Sequence, residues 1–135
     1  MTRDEKISLI NYRLERANES IQAANILLEN ELFIPTMNRI YYSMFYAIQA
    51  LLVLEGVAFS KHVQIKGYFN RVFIKTGTFP IEFGKLFNAV FDYRQKFDYV
   101  DLVMPEKSMV EEFLDKASEF VSILFDYTQK HSKDL

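Results

Sequence analysis

The chain has 135 residues, a formal net charge of −2, two histidines and no cysteine. Without cysteine there are no disulfides, thiolate metal sites or cysteine nucleophile, and the faintly acidic balance argues against wholesale coating of nucleic acid but is compatible with a local basic groove. Half the residues are hydrophobic and 25% charged, a composition ordinary for a soluble domain, and the length fits one domain spanning 1–135.

The first predicted helix starts at Thr2, which stands three residues before Glu5 in capping-box spacing. Ile7, Ile10, Leu14, Ala17, Ile21, Ala24 and Leu28 give it a single apolar stripe, and Pro35 marks its end. A second helix is predicted from about Thr36 to Glu55, with Met37, Ile40, Tyr41, Met44, Ile48, Leu51 and Leu52 inward and Gly56 as its stop. A third runs from about Ser60 to Lys75, ahead of Gly77. Pro80, at a first-turn position, opens a fourth, on which Phe83, Leu86, Phe87, Val90, Phe91 and Arg94 share a face. Ser108 with Glu111 has capping-box spacing for the last helix, whose inward positions are Val110, Phe113, Leu114, Ala117, Phe120, Val121 and Leu124; residues 129–135 read as a fraying tail. No period-2 alternation interrupts this pattern. The expected fold is all-α: a four-helix bundle with a short extra helix. Thirteen Phe and eight Tyr exceed what a small bundle needs inside, so some rings are expected at a subunit interface.

The segment 2–6 is charged and no secretory core follows, while the most apolar stretch, around 44–54, is too short to span a bilayer and carries Gln49. A cytoplasmic protein with no membrane partner is expected. There is no Gly-rich phosphate loop, GxSxG elbow or HExxH, and no Glu has a His three residues on, so neither metal nor cofactor is expected.

Three groups of residues carry chemistry. In Phe91-Asp92-Tyr93-Arg94-Gln95-Lys96-Phe97-Asp98-Tyr99, a cation sits in apolar company, which costs several kcal/mol unless it is paired or used. Arg94 can pair with the last carbonyls of its helix or with Asp98, or its fixed donors can clamp a phosphate. Arg94 and Tyr99 lie about 140° apart around an unbroken helix, so they converge only if the helix ends or bends between them. Tyr42 and Tyr46 share one helical face and Tyr41 and Phe45 another; one pair can fill the core while the other meets a ligand or subunit. His62 falls in the first turn of the third helix, where it can cap or contact a partner; His131 falls in the tail.

Taken in order, Asn38-Arg39-Ile40-Tyr41-Tyr42-Ser43-Met44-Phe45-Tyr46-Ala47, Ser60-Lys61-His62, the stretch 69–77, and Arg94 with Asp98-Tyr99 resemble HEPN-domain proteins. The resemblance is to the small stand-alone UPF0332-like kind encoded beside a minimal nucleotidyltransferase, and it covers nearly the whole chain. It implies an up-and-down helical bundle and a homodimer in which two arginine motifs face each other. Many such proteins are metal-independent ribonucleases, often toxins, using Arg-x4-6-His. Here Arg94 matches the arginine, but Asp98, Tyr99, Val100 and Asp101 follow where the histidine belongs, so the ribonuclease motif is degenerate. The function expected is a nucleotide- or RNA-binding or accessory subunit of a nucleotidyltransferase pair, of toxin–antitoxin type. Arg94, Asp98 and Tyr99 would take the ligand, and Tyr42, Tyr46 and His62 would line the dimer or partner face. The alternatives are an endoribonuclease using Arg94 and a purely structural helical adaptor.

Overall fold

The computed structural model describes residues 1–135. It contains helices α1 (Arg3–Glu29), α2 (Phe33–Glu55), α3 (His62–Phe69), α4 (Ile81–Tyr99) and α5 (Lys107–Ser132), with a π-helical turn at Asn70–Ile74 continuing α3. The four long helices form the bundle and α3 is the short extra one, as the hydrophobic periodicity indicates. None of the helices is long and apolar enough to cross a membrane.

The sequence of α2 explains the arrangement. Small residues alternate with large ones around it, and Thr36, Ser43, Ala47 and Ala50 are buried together with Met37, Ile40, Tyr41, Met44, Ile48 and Leu51. A helix apolar on all sides needs neighbours on all sides, and α2 packs against α1, α3, α4 and α5. Its two small buried hydroxyls are satisfied locally: Thr36 donates to the Leu32 carbonyl at 2.7 Å and Ser43 to the Ile40 carbonyl at 2.6 Å. Phenylalanines 69, 73, 79, 83, 87 and 120 fill the space between α3, α4 and α5. Of all the aromatic residues only Tyr12 and Tyr99 are exposed. The other rings are buried or partly buried within this chain.

Several boundaries differ from the sequence reading. The first helix ends at Glu29, where Glu31 turns into the left-handed region at φ 57°. The second begins at Phe33, with Pro35 inside its first turn, where a missing N–H costs nothing. Pro80 is the residue before α4 rather than part of its first turn. The Ser108–Glu111 capping box does not form: Pro105 is buried and pins the chain, so α5 winds on from Lys107. The box at Thr2 and Glu5 does form, with both reciprocal bonds at 3.1 Å. The tail is docked and does not fray, since Thr128 and Ser132 are buried and Arg3 donates to the Leu135 carbonyl at 2.7 Å.

The third helix departs most from an ordinary pattern. Lys75 bonds back five residues to the Asn70 carbonyl at 2.8 Å, which widens the turn. The Asn70 side chain donates to the Lys66 carbonyl at 2.9 Å and to Asn88 Oδ1 at 3.0 Å, tying this turn to α4. The approach is possible because α4 presents Gly84, where a Cβ would lie 2.7 Å from Asn70 Oδ1 and 3.1 Å from Ile74 Cγ2. Gly84→Ala should therefore lower stability by about 1–3 kcal/mol through overpacking, despite alanine's better helix propensity. Urea unfolding checks this, and an unchanged midpoint would show that the π turn yields freely.

Candidate functional site

Three helices meet around one buried ring. Tyr41 is fully buried in α2, so its hydroxyl needs a partner. It finds His62 Nδ1 at 2.8 Å, delivered by the start of α3. The imidazole stacks on Phe45 with ring centres 4.2 Å apart. Arg94 arrives from α4, its guanidinium carbon 4.9 Å from the Tyr41 ring centre and 5.1 Å from that of Tyr42. Such positions are attractive through the ring quadrupole.

Arg94 Nη2 donates to the Tyr42 hydroxyl at 3.0 Å. Asp98 Oδ2 lies 3.5 Å from Arg94 Nε, an ion pair by distance, with the two side chains 15% (Arg94) and 19% (Asp98) exposed. The pair is not aligned for a hydrogen bond, and the buried Nε has no hydrogen-bond partner. The contact supplies charge balance without satisfying the donor. A buried donor on a charged group left unbonded costs about 1–3 kcal/mol. An anion entering from solvent would offset that cost.

Asn38 links the remaining charges. Its amide nitrogen donates to Asp98 Oδ2 at 3.1 Å, and its amide oxygen accepts from Arg39 Nη2 at 2.8 Å. Arg39 lies over the Tyr42 ring at 5.0 Å. Lys66, one turn after His62, lies over Phe91 at 4.5 Å, and Phe91 precedes Arg94 by three residues on α4. The result is Arg39, Arg94 and Lys66 gathered around tyrosine and phenylalanine faces, with Asp98 as the one carboxylate bonded into the group.

Burial, and secondarily the nearby Arg94 charge, hold His62 below the usual imidazole range. Burial likewise pushes the Tyr41 phenol above its usual value, with Arg94 opposing. At neutral pH the dyad is therefore neutral. Because His62 is the only partner of the buried Tyr41 hydroxyl, the tautomer that satisfies both has Tyr41 donating to Nδ1 and the proton on Nε2. His62 then offers a neutral N–H donor on the half-buried side of the ring.

Of the residues singled out from sequence, Arg94, Asp98, Tyr42 and His62 come together here. Tyr46 sits beside Tyr42, ring centres 6.0 Å apart. Tyr99 is on the periphery, 71% exposed, its ring centre 6.0 Å from the guanidinium carbon. The helix does not break between Arg94 and Tyr99 as convergence seemed to require; α4 runs unbroken to Tyr99 and the long arginine stem bridges the offset. Asn38, Arg39 and Lys66 were given no role in the site, and Tyr41 was read as one of two ring pairs without its histidine partner. Asn38 and Asp98 are 60 residues apart, and only the fold joins them.

The HEPN domain family matches residues 10–128. The chain belongs to the HEPN family. It is 40% identical over 121 residues to a UPF0332 protein of Thermotoga maritima, covering 90% of this chain and 92% of the relative. It is 33% identical over 109 residues to a Methanocaldococcus jannaschii protein named "putative toxin", covering 81% of this chain and 74% of that one. A second protein of that organism with the same name is 30% identical over 108 residues, with 80% of each chain covered. As in its sequence, the arginine of this HEPN domain has no histidine after it on α4; the imidazole beside it comes from α3.

His62 supplies a direct check. Its folded value lies below the unfolded one, near 6.5, so as pH falls the unfolded chain takes the proton first. Stability should decline as pH drops through about 6.5 and level off below the folded value. In an NMR titration the His62 midpoint should lie below 6.5 and rise in Arg94→Gln. A midpoint unmoved by that substitution would place Arg94 too far away to act on the ring.

Proposed function

We propose that this HEPN protein binds the phosphate of a nucleotide or RNA at Arg94, as the recruiting half of a pair with a nucleotidyltransferase, in a toxin–antitoxin arrangement. The observation that carries the reading is the buried Arg94 Nε, which has charge balance but no hydrogen-bond acceptor. A phosphoryl oxygen supplies that acceptor, and the guanidinium geometry suits it. Arg39, Lys66 and the His62 Nε2–H are further donors around the same rings. The toxin-named relatives support the toxin side of the reading. The nucleotidyltransferase side rests on the resemblance to stand-alone HEPN proteins.

A partner surface has its own support. Immediately beyond Asp98, four large apolar side chains within six residues face solvent: Tyr99, Val100, Leu102 and Met104. Exposed apolar runs of this kind mark interaction sites, and this one borders the phosphate site. A homodimer or the nucleotidyltransferase would cover it, which makes the pocket a cleft between two chains.

Calorimetry with adenosine monophosphate tests the site. Arg94→Ala should weaken binding about 10- to 150-fold, because hydrogen bonds to charged groups are worth roughly 1.5–3 kcal/mol. Equal affinity in the variant would overturn the assignment.

A second reading is favoured by the position of His62: an endoribonuclease that needs no metal. The 2′-hydroxyl would attack phosphorus, forming the O2′–P bond and breaking P–O5′. His62 would take the 2′ proton and water would protonate the leaving 5′ oxygen, giving a 2′,3′-cyclic phosphate and a 5′-hydroxyl. That route needs a free Nε2 lone pair, hence the tautomer in which Nδ1–H donates to Tyr41 and the buried Tyr41 proton goes without a partner. The donor tautomer favours binding over cleavage. Incubation of single-stranded RNA with EDTA should accordingly show no cleavage; cleavage lost in both Arg94→Ala and His62→Gln would establish the second reading instead.

A further inference from the structure

His62 and Arg94 approach the same two rings from different helices. The imidazole stacks on Tyr41 with ring centres 5.9 Å apart and stands edge-on to Tyr42 at 6.3 Å. The guanidinium carbon of Arg94 lies 4.9 Å and 5.1 Å from the centres of those rings. Two groups able to carry positive charge thus share one aromatic wall, and the arginine is always charged. The surroundings of the imidazole are completely defined, because α3 packs only against α2, α4 and the π turn. From α2 it meets Tyr41, Tyr42 and Phe45, with Arg39 lying on the Tyr42 ring. From α4 comes Arg94, with Asp98 beside it at 3.5 Å. The π turn holds Arg71, which lies over Tyr68, and α3 itself is flanked by Lys61 and holds Lys66. No carboxylate pairs with the ring. Every formal charge around His62 is therefore positive, except for Asp98, which is bonded to Asn38 and faces Arg94.

An anion would change this balance. A phosphoryl oxygen on Arg94 Nε would cancel the positive field that keeps a second charge away, and another oxygen would meet the His62 Nε2–H. An opposite charge at such a distance favours the charged imidazole. We propose that anion and proton bind here together: phosphate at Arg94 draws a proton from solvent onto His62 Nδ1, and each ligand strengthens the hold on the other. The proton lands on the lone pair that accepts from the Tyr41 hydroxyl, so Tyr41 turns from donor to acceptor and its own proton loses its partner. That loss, together with burial and the Arg94 charge, keeps the ring neutral while the site is empty. Two ligands whose sites share one charge are coupled reciprocally. The site thus tightens in acid and releases its anion as pH rises. This coupling rests on the phosphate reading of Arg94 and adds the regulation of that site.

Sulfate is the probe that tests it, because its charge is constant over the range in which histidine titrates, about pH 5 to 8. It is titrated into the full chain at constant ionic strength, followed by the NMR signals of Arg94 Nε–H and the His62 ring. Saturating sulfate should raise the His62 midpoint. Affinity should grow as pH falls through that raised midpoint and level off below the free one, by about 10-fold for each unit of the rise. Calorimetry at about pH 6, in two buffers of different ionisation enthalpy, should show net proton uptake on binding. His62→Gln should bind sulfate more weakly, equally at every pH and without proton uptake, a change that a merely structural role does not produce. Should that variant fail to fold, the midpoint and the proton count of the wild-type chain decide alone. Shifts at Arg94 Nε with a pH-independent affinity and an unmoved His62 midpoint would overturn the coupling and leave the anion site standing. No shift at Arg94 Nε at any pH would overturn the anion site itself.

Discussion

The arrangement depends on one buried hydroxyl. Tyr41 has no exposed surface, and an unpaired phenol there would cost about 1–3 kcal/mol. Its bond to His62 fixes where α3 begins relative to α2, fixes the imidazole tautomer, and leaves the ring face on which Arg94 rests. A histidine drawn into an apolar setting loses its proton more readily, and a neutral imidazole can share a small space with a guanidinium. A charged one could not without repulsion. One hydrogen bond therefore decides the position of a helix and the orientation of the site's donors, while burial sets its charge.

The bundle supplies the rest by dividing labour along α2. Towards its C-terminal end, Ala47, Ile48, Ala50, Leu51 and Leu52 are buried and merely fill space. Towards its N-terminal end, Asn38, Arg39, Tyr41, Tyr42 and Tyr46 point alternately at α4, α3 and α1. Asn38, Tyr41 and Tyr42 there take partners from other helices: Asp98, His62 and Arg94. The π turn after α3, locked by Asn70 onto α4 at Gly84, holds α3 firmly enough for His62 and Lys66 to keep station beside Arg94. Asn38 acts as a divider: by donating to Asp98 and accepting from Arg39 it keeps the carboxylate from neutralising two arginines at once.

Much of this was legible in the sequence, for reasons that also set the limit. The four long helices follow from 3.6-residue spacing of apolar positions, and Gly56 stops α2 in a left-handed conformation as expected. Arg94 stood out because a cation on the apolar face of a helix needs a reason. Asp98 followed, being one turn away. The π turn was invisible, since Asn70-Arg71-Val72-Phe73-Ile74 reads as ordinary helix and only packing against Gly84 widens it. The Ser108 cap misled because local spacing says nothing of a buried Pro105 upstream. His62 was noticed, but its meeting with Tyr41 spans 21 residues and joins two helices, and sequence periodicity holds no trace of it. Thus the absence of a histidine after Arg94 in the chain does not mean the absence of one beside it in space.

The proposed anion site joins two donors, the unbonded Arg94 Nε and the His62 ring. Its most direct test follows the side-chain Nε–H resonance of Arg94 and the ring protons of His62 in labelled protein during titration with adenosine monophosphate. Both should shift together along one saturating curve, with Tyr42 and Arg39 signals following. Saturable shifts confined to another surface, such as the α4–α5 cleft at Phe83 and Phe113, with Arg94 and His62 unmoved, would contradict it.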